Sequence, residues 1–306
     1  MNKSVFGQPK QKGRWLSIFG VILSLIALAL ASATYLKNSS SVVTNAGNPK
    51  TEIISEQPIP SLLARMDHTG ELHAGYGVYP PYTQEDPNTK AVSGFSVAIV
   101  EQIAKELNVR IVWHRLNWNT MAADLKRGEY DIIADPIFQT IPRAREFAFT
   151  EPYAYFADGI AVVRKKENRF KSFASLDQKG VKIAVGKGWA SETLVKTRFT
   201  KAEIVTILTS NDLLQVFNEV LAGRADVAVA DGGDAKRFMQ EHPKEVKALG
   251  LDTPPAFMPA GFALRFSDKA SADFFSVALR NLRYTGILDA LAQRYDIPAM
   301  TLRGPQ

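Results

Sequence analysis

Arg143 and Asp231 are the two charged residues whose surroundings in the sequence best suit them to grip a small polar molecule. Arg143 follows an apolar strand pattern, Tyr130-Asp131-Ile132-Ile133-Ala134, which breaks at Asp135-Pro136 and passes through Thr140 and Pro142 into a short helical turn. A strand running into a helix start leaves backbone N–H groups pointing outward, which suits an anion. The guanidinium adds two parallel charge-assisted hydrogen bonds to a carboxylate, where lysine would offer a point charge. The alternative is an ordinary surface arginine beside a helix. Asp231 ends the strand pattern Val227-Ala228-Val229-Ala230, and Gly232-Gly233 let the backbone turn away so that its carboxylate can enter a cleft. The same aspartate would also serve as N-cap of a helix beginning near Asp234.

Aromatic residues stand at comparable positions. Tyr79 precedes Pro80-Pro81, which hold the backbone rigid and deny a helix, so its ring sits on a fixed loop at the mouth of the first strand. Its alternative role is core packing. Trp118, in Asn117-Trp118-Asn119 at a helix start, is either a second wall of a site or part of the core. The loop Gly186-Lys187-Gly188-Trp189-Ala190-Ser191 joins a strand pattern to a helix pattern, so its N–H groups could cradle an anion, but it lacks phosphate-loop spacing.

Apolar runs alternate with helical patterns through the whole body, which argues an α/β architecture. Strand patterns lie at 72–76, 109–114, 130–134 and 159–163, with helices at 95–107 and 118–126 between them. Arg164-Lys165-Lys166-Glu167-Asn168 makes a polar crossing, after which strands at 182–185, 202–208 and 225–230 alternate with helices at 190–197, 211–221 and 234–240. Gly261 to Arg265 reads as a returning strand, followed by helices at 271–283 and 287–295. The expected organisation is therefore two α/β lobes, 61–159 with 264–300 and 160–263, joined by two hinge strands.

Before the body, Trp15 to Leu36 is an uncharged, mostly apolar run of 22 residues, about 33 Å long as a helix and enough to cross a bilayer core. Lys3, Lys10, Lys12 and Arg14 precede it and no acid occurs before Glu52, which predicts a cytoplasmic N-terminus and an exported body. Ala31-Ser32-Ala33 fits a signal-peptidase site, while Trp15 and Tyr35 fit the aromatic belt of a retained helix. Residues 1–37 are thus a signal peptide or a membrane anchor, and 38–60, rich in Ser, Asn, Thr and Pro, a flexible linker.

Those four N-terminal cations account for most of the net charge of +6, so the body is near neutral and gives no support for nucleic-acid binding. The absence of cysteine excludes disulfides, thiolate metal sites, a cysteine nucleophile and a lipidated N-terminal cysteine. His68, His73, His114 and His242 lack metal-ligand spacing, and neither a metal nor a cofactor is expected.

From about Gly70 to Pro298 the chain resembles the bacterial extracellular solute-binding proteins, family 3, which capture polar amino acids for ABC importers. The resemblance is carried by Tyr79-Pro80-Pro81-Tyr82, Ser93-Gly94-Phe95-Ser96-Val97, Asn117-Trp118-Asn119, the segment Tyr130 to Tyr153, Gly223-Arg224-Ala225-Asp226 and Tyr284-Thr285-Gly286-Ile287-Leu288. It implies a type II periplasmic-binding-protein-like fold preceded by a hydrophobic helix, with ligand held between hinged lobes and delivered to an ABC permease. It also implies that Arg143 takes a ligand carboxylate, Asp231 an α-ammonium, and Tyr79 one face of the ligand.

Departures from the family pattern matter too. Phe138 stands where a hydroxyl donor is usual, Trp189 where threonine is common, and Asp135 adds an acid expected within reach of Arg143. The expected pocket is thus unusually aromatic (Tyr79, Trp118, Phe138, Trp189) and favours an amino-acid-like ligand with apolar or aromatic surface. The rival activity is a periplasmic dehydratase of cyclohexadienyl acids on the same scaffold, with Asp135 as the candidate acid. A ligand-sensing partner of a membrane receptor is the third reading.

Overall fold

The computed structural model describes residues 59–209 and 212–304. The apolar run and the linker expected before residue 59 lie outside the described residues. Among the described residues no helix is long and apolar enough to cross a membrane.

The first lobe opens with α1 (Leu62–Thr69), capped by the Ser61 hydroxyl, which accepts from the Ala64 N–H, and stopped by Gly70 in the left-handed region. It continues through β1 (Glu71–Tyr76), the short ribbon β2 (Gln84–Glu85) and β3 (Val92–Ser93), α2 (Phe95–Leu107), β4 (Arg110–Arg115), α3 (Met121–Arg127), β5 (Ile132–Phe138), β6 (Phe147–Phe149) and β7 (Ala154–Asp158). The second lobe runs through β8 (Ile160–Arg164), β9 (Lys182–Gly186), α4 (Ala190–Arg198), β10 (Glu203–Ile207), α5 (Gln215–Leu221), β11 (Val227–Ala230), α6 (Gly232–Glu241) and β12 (Val246–Leu249). The chain then returns along β13 (Ala256–Arg265) to α7 (Lys269–Tyr284), α8 (Ile287–Arg294) and α9 (Ala299–Arg303).

Each lobe has its own sheet. In the first the order is β4-β1-β5-β13-β6, with β7 also paired to β13, and β1 runs parallel to both β4 and β5. In the second the order is β10-β9-β11-β8-β12, with β9 parallel to β10 and β11, and β8 antiparallel to its neighbours. Apolar clusters cover both faces of the second sheet, so its inner strands read as unbroken apolar runs: all four residues of β11 are buried. The chain crosses between sheets at Gly159 and returns through 250–255 into β13, which pairs antiparallel with β7 from Ala256↔Asp158 to Ala260↔Ala154.

Two sequence expectations change here. The strand expected to stop at Ala134 continues through Asp135-Pro136 to Phe138. Its pairing with β13 shifts register between Gly261 and Ala263, so the ladder is irregular opposite the proline, where a missing N–H costs least. The returning strand is ten residues long and begins at Ala256 instead of Gly261. Its first half contains Pro259 and lies against β7, a pairing that local pattern does not reveal.

Candidate functional site

The loops at the strand ends of both lobes border one cavity of about 560 Å³. Tyr79, Trp118, Phe138 and Arg143 reach it from the first lobe, and Trp189 and Asp231 from the second. Six of the seven residues singled out from the sequence thus share one cavity, and Asp135 is the exception.

Arg143 begins a three-residue 3-10 turn, Arg143–Arg145. So short a turn is no helix start, and its N–H groups bond locally: Ala144 donates to the Thr140 carbonyl at 2.9 Å. Attraction for an anion therefore falls to the guanidinium alone. Its Nη1 donates to the Phe138 carbonyl at 3.3 Å, and no acid of the described residues forms a salt bridge with it. Burial lowers its pKa to about 10, so it stays cationic at neutral pH.

Asp231 both caps and lines. As N-cap of α6 it accepts from Gly233 N–H at 2.8 Å and Asp234 N–H at 3.2 Å, and Tyr79 Oη, from the other lobe, donates to it at 2.7 Å. All three donors meet Oδ1, and the buried Asp234 side chain also lies within hydrogen-bonding reach of this carboxylate. The capping and cavity roles weighed for this residue are therefore simultaneous: α6 starts at Gly232, and the cap orientation turns the carboxylate toward the cavity.

Tyr79 is only 6% exposed, and its ring stacks on Tyr82 at 5.5 Å and lies 5.9 Å from Phe156. Burial, with Asp231 and Asp234 nearby, holds its hydroxyl well above the usual phenol range, so it stays a donor. Phe138 lies 5.0 Å from Phe156.

Asp135 is fully buried and does not line the cavity, nor does it pair with Arg143. Its carboxylate accepts from the Gly77 N–H and the Thr83 hydroxyl, holding the loop after β1 against β5. Burial pushes its pKa up to about 6, opposed by those two hydrogen bonds. The expected competition between Asp135 and a ligand for Arg143 is thus absent, because the strand continues through Asp135 and its carboxylate is taken by Gly77 and Thr83.

The sequence reading missed two acids of the lining, Glu146 and Asp234. Each lies three residues beyond a charged residue singled out from the sequence, Arg143 and Asp231, a spacing that could have flagged them. Asp234 forms an ion pair with Arg237 at 3.3 Å. Burial, with Asp231 beside it, raises its pKa well above the carboxylate range. Ser191 on α4 also lines the cavity, and its hydroxyl donates to Asp158 at 2.5 Å. Asp158 lies where β7 leaves the first lobe; it takes a second bond from Gly159 N–H at 2.8 Å, its Oδ2 is buried without a partner among the described residues, and burial raises its pKa to about 6. In the loop before α4, Gly188 N–H is taken by the chain's own Glu192 at 2.7 Å, so that part of the cradle is occupied. Among the described residues no group of three or more His, Asp or Glu is placed to hold a metal.

The family model for bacterial extracellular solute-binding proteins, family 3, matches residues 72–297. The chain belongs to that family. This binding protein is 26% identical over 229 residues to a probable amino-acid ABC transporter-binding protein of Haemophilus influenzae, covering 74% of this chain and 85% of that one. It is 26% identical to a cyclohexadienyl dehydratase of Pseudomonas aeruginosa, over 69% of this chain and 77% of that one. Among solved structures it superimposes on an ancestral amino-acid-binding protein described as a precursor of cyclohexadienyl dehydratase, with a TM-score of 0.65, 27% identity, and coverage of 77% and 99%. The bilobal type II periplasmic-binding fold is the one its membership implies.

Proposed function

We propose that this protein binds an amino acid in the interlobe cavity, outside the cytoplasm, and presents it to an ABC permease. The supporting observation is a cationic group and an anionic one bordering the same cavity from opposite lobes, Arg143, which has no salt-bridge partner among the described residues, and Asp231, whose three donors all meet one oxygen. The ligand carboxylate pairs with the Arg143 guanidinium, and its ammonium takes Asp231 Oδ2 while Tyr79 Oη stays on Oδ1. Contacts to both lobes exist only when the cleft is closed, so binding shifts the hinge toward closure. The names of the relatives support the amino-acid class and the transporter partner.

Calorimetric titration of the free amino acids is the direct test. At least one is expected to bind, and Arg143→Ala to weaken it at least thirtyfold, the lower end of about 2 to 5 kcal/mol for stranding one member of a buried charged pair. Binding indifferent to Arg143→Ala would overturn the anchor assignment.

The protein acts here as a binder and not as a catalyst. The dehydratase reading draws on the Pseudomonas relative, and its candidate acid Asp135 lies outside the cavity lining. Incubation with prephenate or arogenate is expected to return both unchanged, and formation of an aromatic product would reverse this conclusion. Whether residues 15–36 are cleaved or tether the body to the inner membrane rests on sequence. Cell fractionation with N-terminal sequencing of the mature chain distinguishes the two.

A further inference from the structure

Trp118 and Trp189 come from different lobes and are seated in the same way. Trp118 lies against Gly77, directly beyond β1: a Cβ there would sit 2.2 Å from Cζ2 of the indole. Trp189 lies against Gly186, the last residue of β9, where a Cβ would sit 2.2 Å from both Cδ2 and Cε2. No other residue type leaves room for either ring in its present place. Neither indole is stacked on another aromatic ring among the described residues, unlike Tyr79 and Phe138, whose rings are engaged with Tyr82 and Phe156. Both half-buried indoles border the cavity.

We infer that this cavity selects an amino acid whose side chain carries a flat, uncharged ring, gripped by Trp118 from one lobe and Trp189 from the other. This rests on the amino-acid reading proposed above and adds the side-chain class. Aromatic faces meet other flat rings with specific attraction beyond plain burial, and closing the hinge brings the two walls onto the ring together.

A cationic side chain is the competitor, since it would also be drawn to an indole face. Charge decides against it. The lining charges without a salt-bridge partner among the described residues are Arg143 and Lys187 against Asp231 and Glu146. A zwitterion with a neutral side chain preserves that balance, whereas an extra charge in the water-excluded cleft would be uncompensated. Met121, Ile137, Leu208 and Leu213 are among the apolar side chains of the lining.

The test titrates the full chain with L-phenylalanine, L-tyrosine and L-tryptophan, and with L-alanine, L-serine, L-lysine and L-aspartate. At least one aromatic amino acid is expected to bind ten- to a hundredfold tighter than alanine or lysine. Trp118→Leu and Trp189→Leu should each reduce by about tenfold the ratio of aromatic to alanine affinity. Trp118→Phe and Trp189→Phe, which keep a ring and fold more conservatively, should restore most of it. Tighter binding of lysine, serine or alanine, or aromatic affinity unmoved by both leucine variants, overturns the ring inference alone, provided that Arg143→Ala still abolishes binding. No binding of any amino acid overturns both this inference and the amino-acid reading beneath it.

Discussion

The two ends of β5 hold charges of opposite sign in contrasting circumstances. Just before the strand, Asp131 is 1% exposed and lies between two arginines, Arg265 at 3.3 Å and Arg65 at 3.4 Å. Beyond its other end, the Arg143 guanidinium bonds to the Phe138 carbonyl and forms no salt bridge among the described residues, although Glu146 lies near. Burial still holds the Asp131 carboxyl above the usual range, so the arginines offset its desolvation without exceeding it. Such a cluster contributes little net stability while intact, but it is costly to break. A charge left without a counter-ion beside a cavity is instead a place where a ligand can supply the missing partner. The same strand thus carries a closed electrostatic circuit at one end and an open one at the other.

The largest expected effect breaks the closed end. Arg265→Ala removes one counter-ion of buried Asp131 together with the bond to the Pro60 carbonyl, and should cost about 3 to 5 kcal/mol of stability in denaturant unfolding. Arg143→Ala should do the reverse, leaving stability within about 1 kcal/mol while destroying binding. If both variants lost stability alike, the distinction between the two ends would collapse.

A second contrast sets the buried acids against the paired ones. Asp135 and Asp158 both have folded pKa values near 6, above the unfolded value of 3.8. Between about pH 4 and 6 the folded state therefore keeps protons that the unfolded chain has released, so their contribution to stability falls as pH rises through that window. Asp158→Asn should flatten this part of the stability profile, and an unchanged slope would show that Asp158 titrates normally.

Smallest is Tyr79→Phe, which deletes the donor to Asp231 across the cleft but leaves both helix-capping bonds. A loss of roughly 1.5 to 3 kcal/mol in stability is expected from one hydrogen bond to a charged acceptor, with Asp231 still able to bind a ligand ammonium. Complete loss of binding would instead place Tyr79 among the anchors.

Much of this was legible in the sequence because it is local. Strand–helix alternation, the glycines after Asp231 and the proline loop after Tyr79 carry their structural meaning within a few residues. Asp135 was misread because its partners, Gly77 and Thr83, lie 58 and 52 residues away in the chain. Glu146 and Asp234 were missed for a related reason: nothing in an acid near a turn says which way the turn faces.

Residue types and their period determined that the body would form two α/β lobes, since burial of apolar faces at strand and helix spacing allows little else. Which polar groups would be consumed within the protein was decided only when the lobes came together. Hydrogen bonding of a buried charge depends on whatever group arrives within about 3 Å, and chain order does not encode that distance. Asp135 was absorbed by a neighbouring loop, Arg143 was left facing the cavity, and that outcome belongs to the tertiary structure.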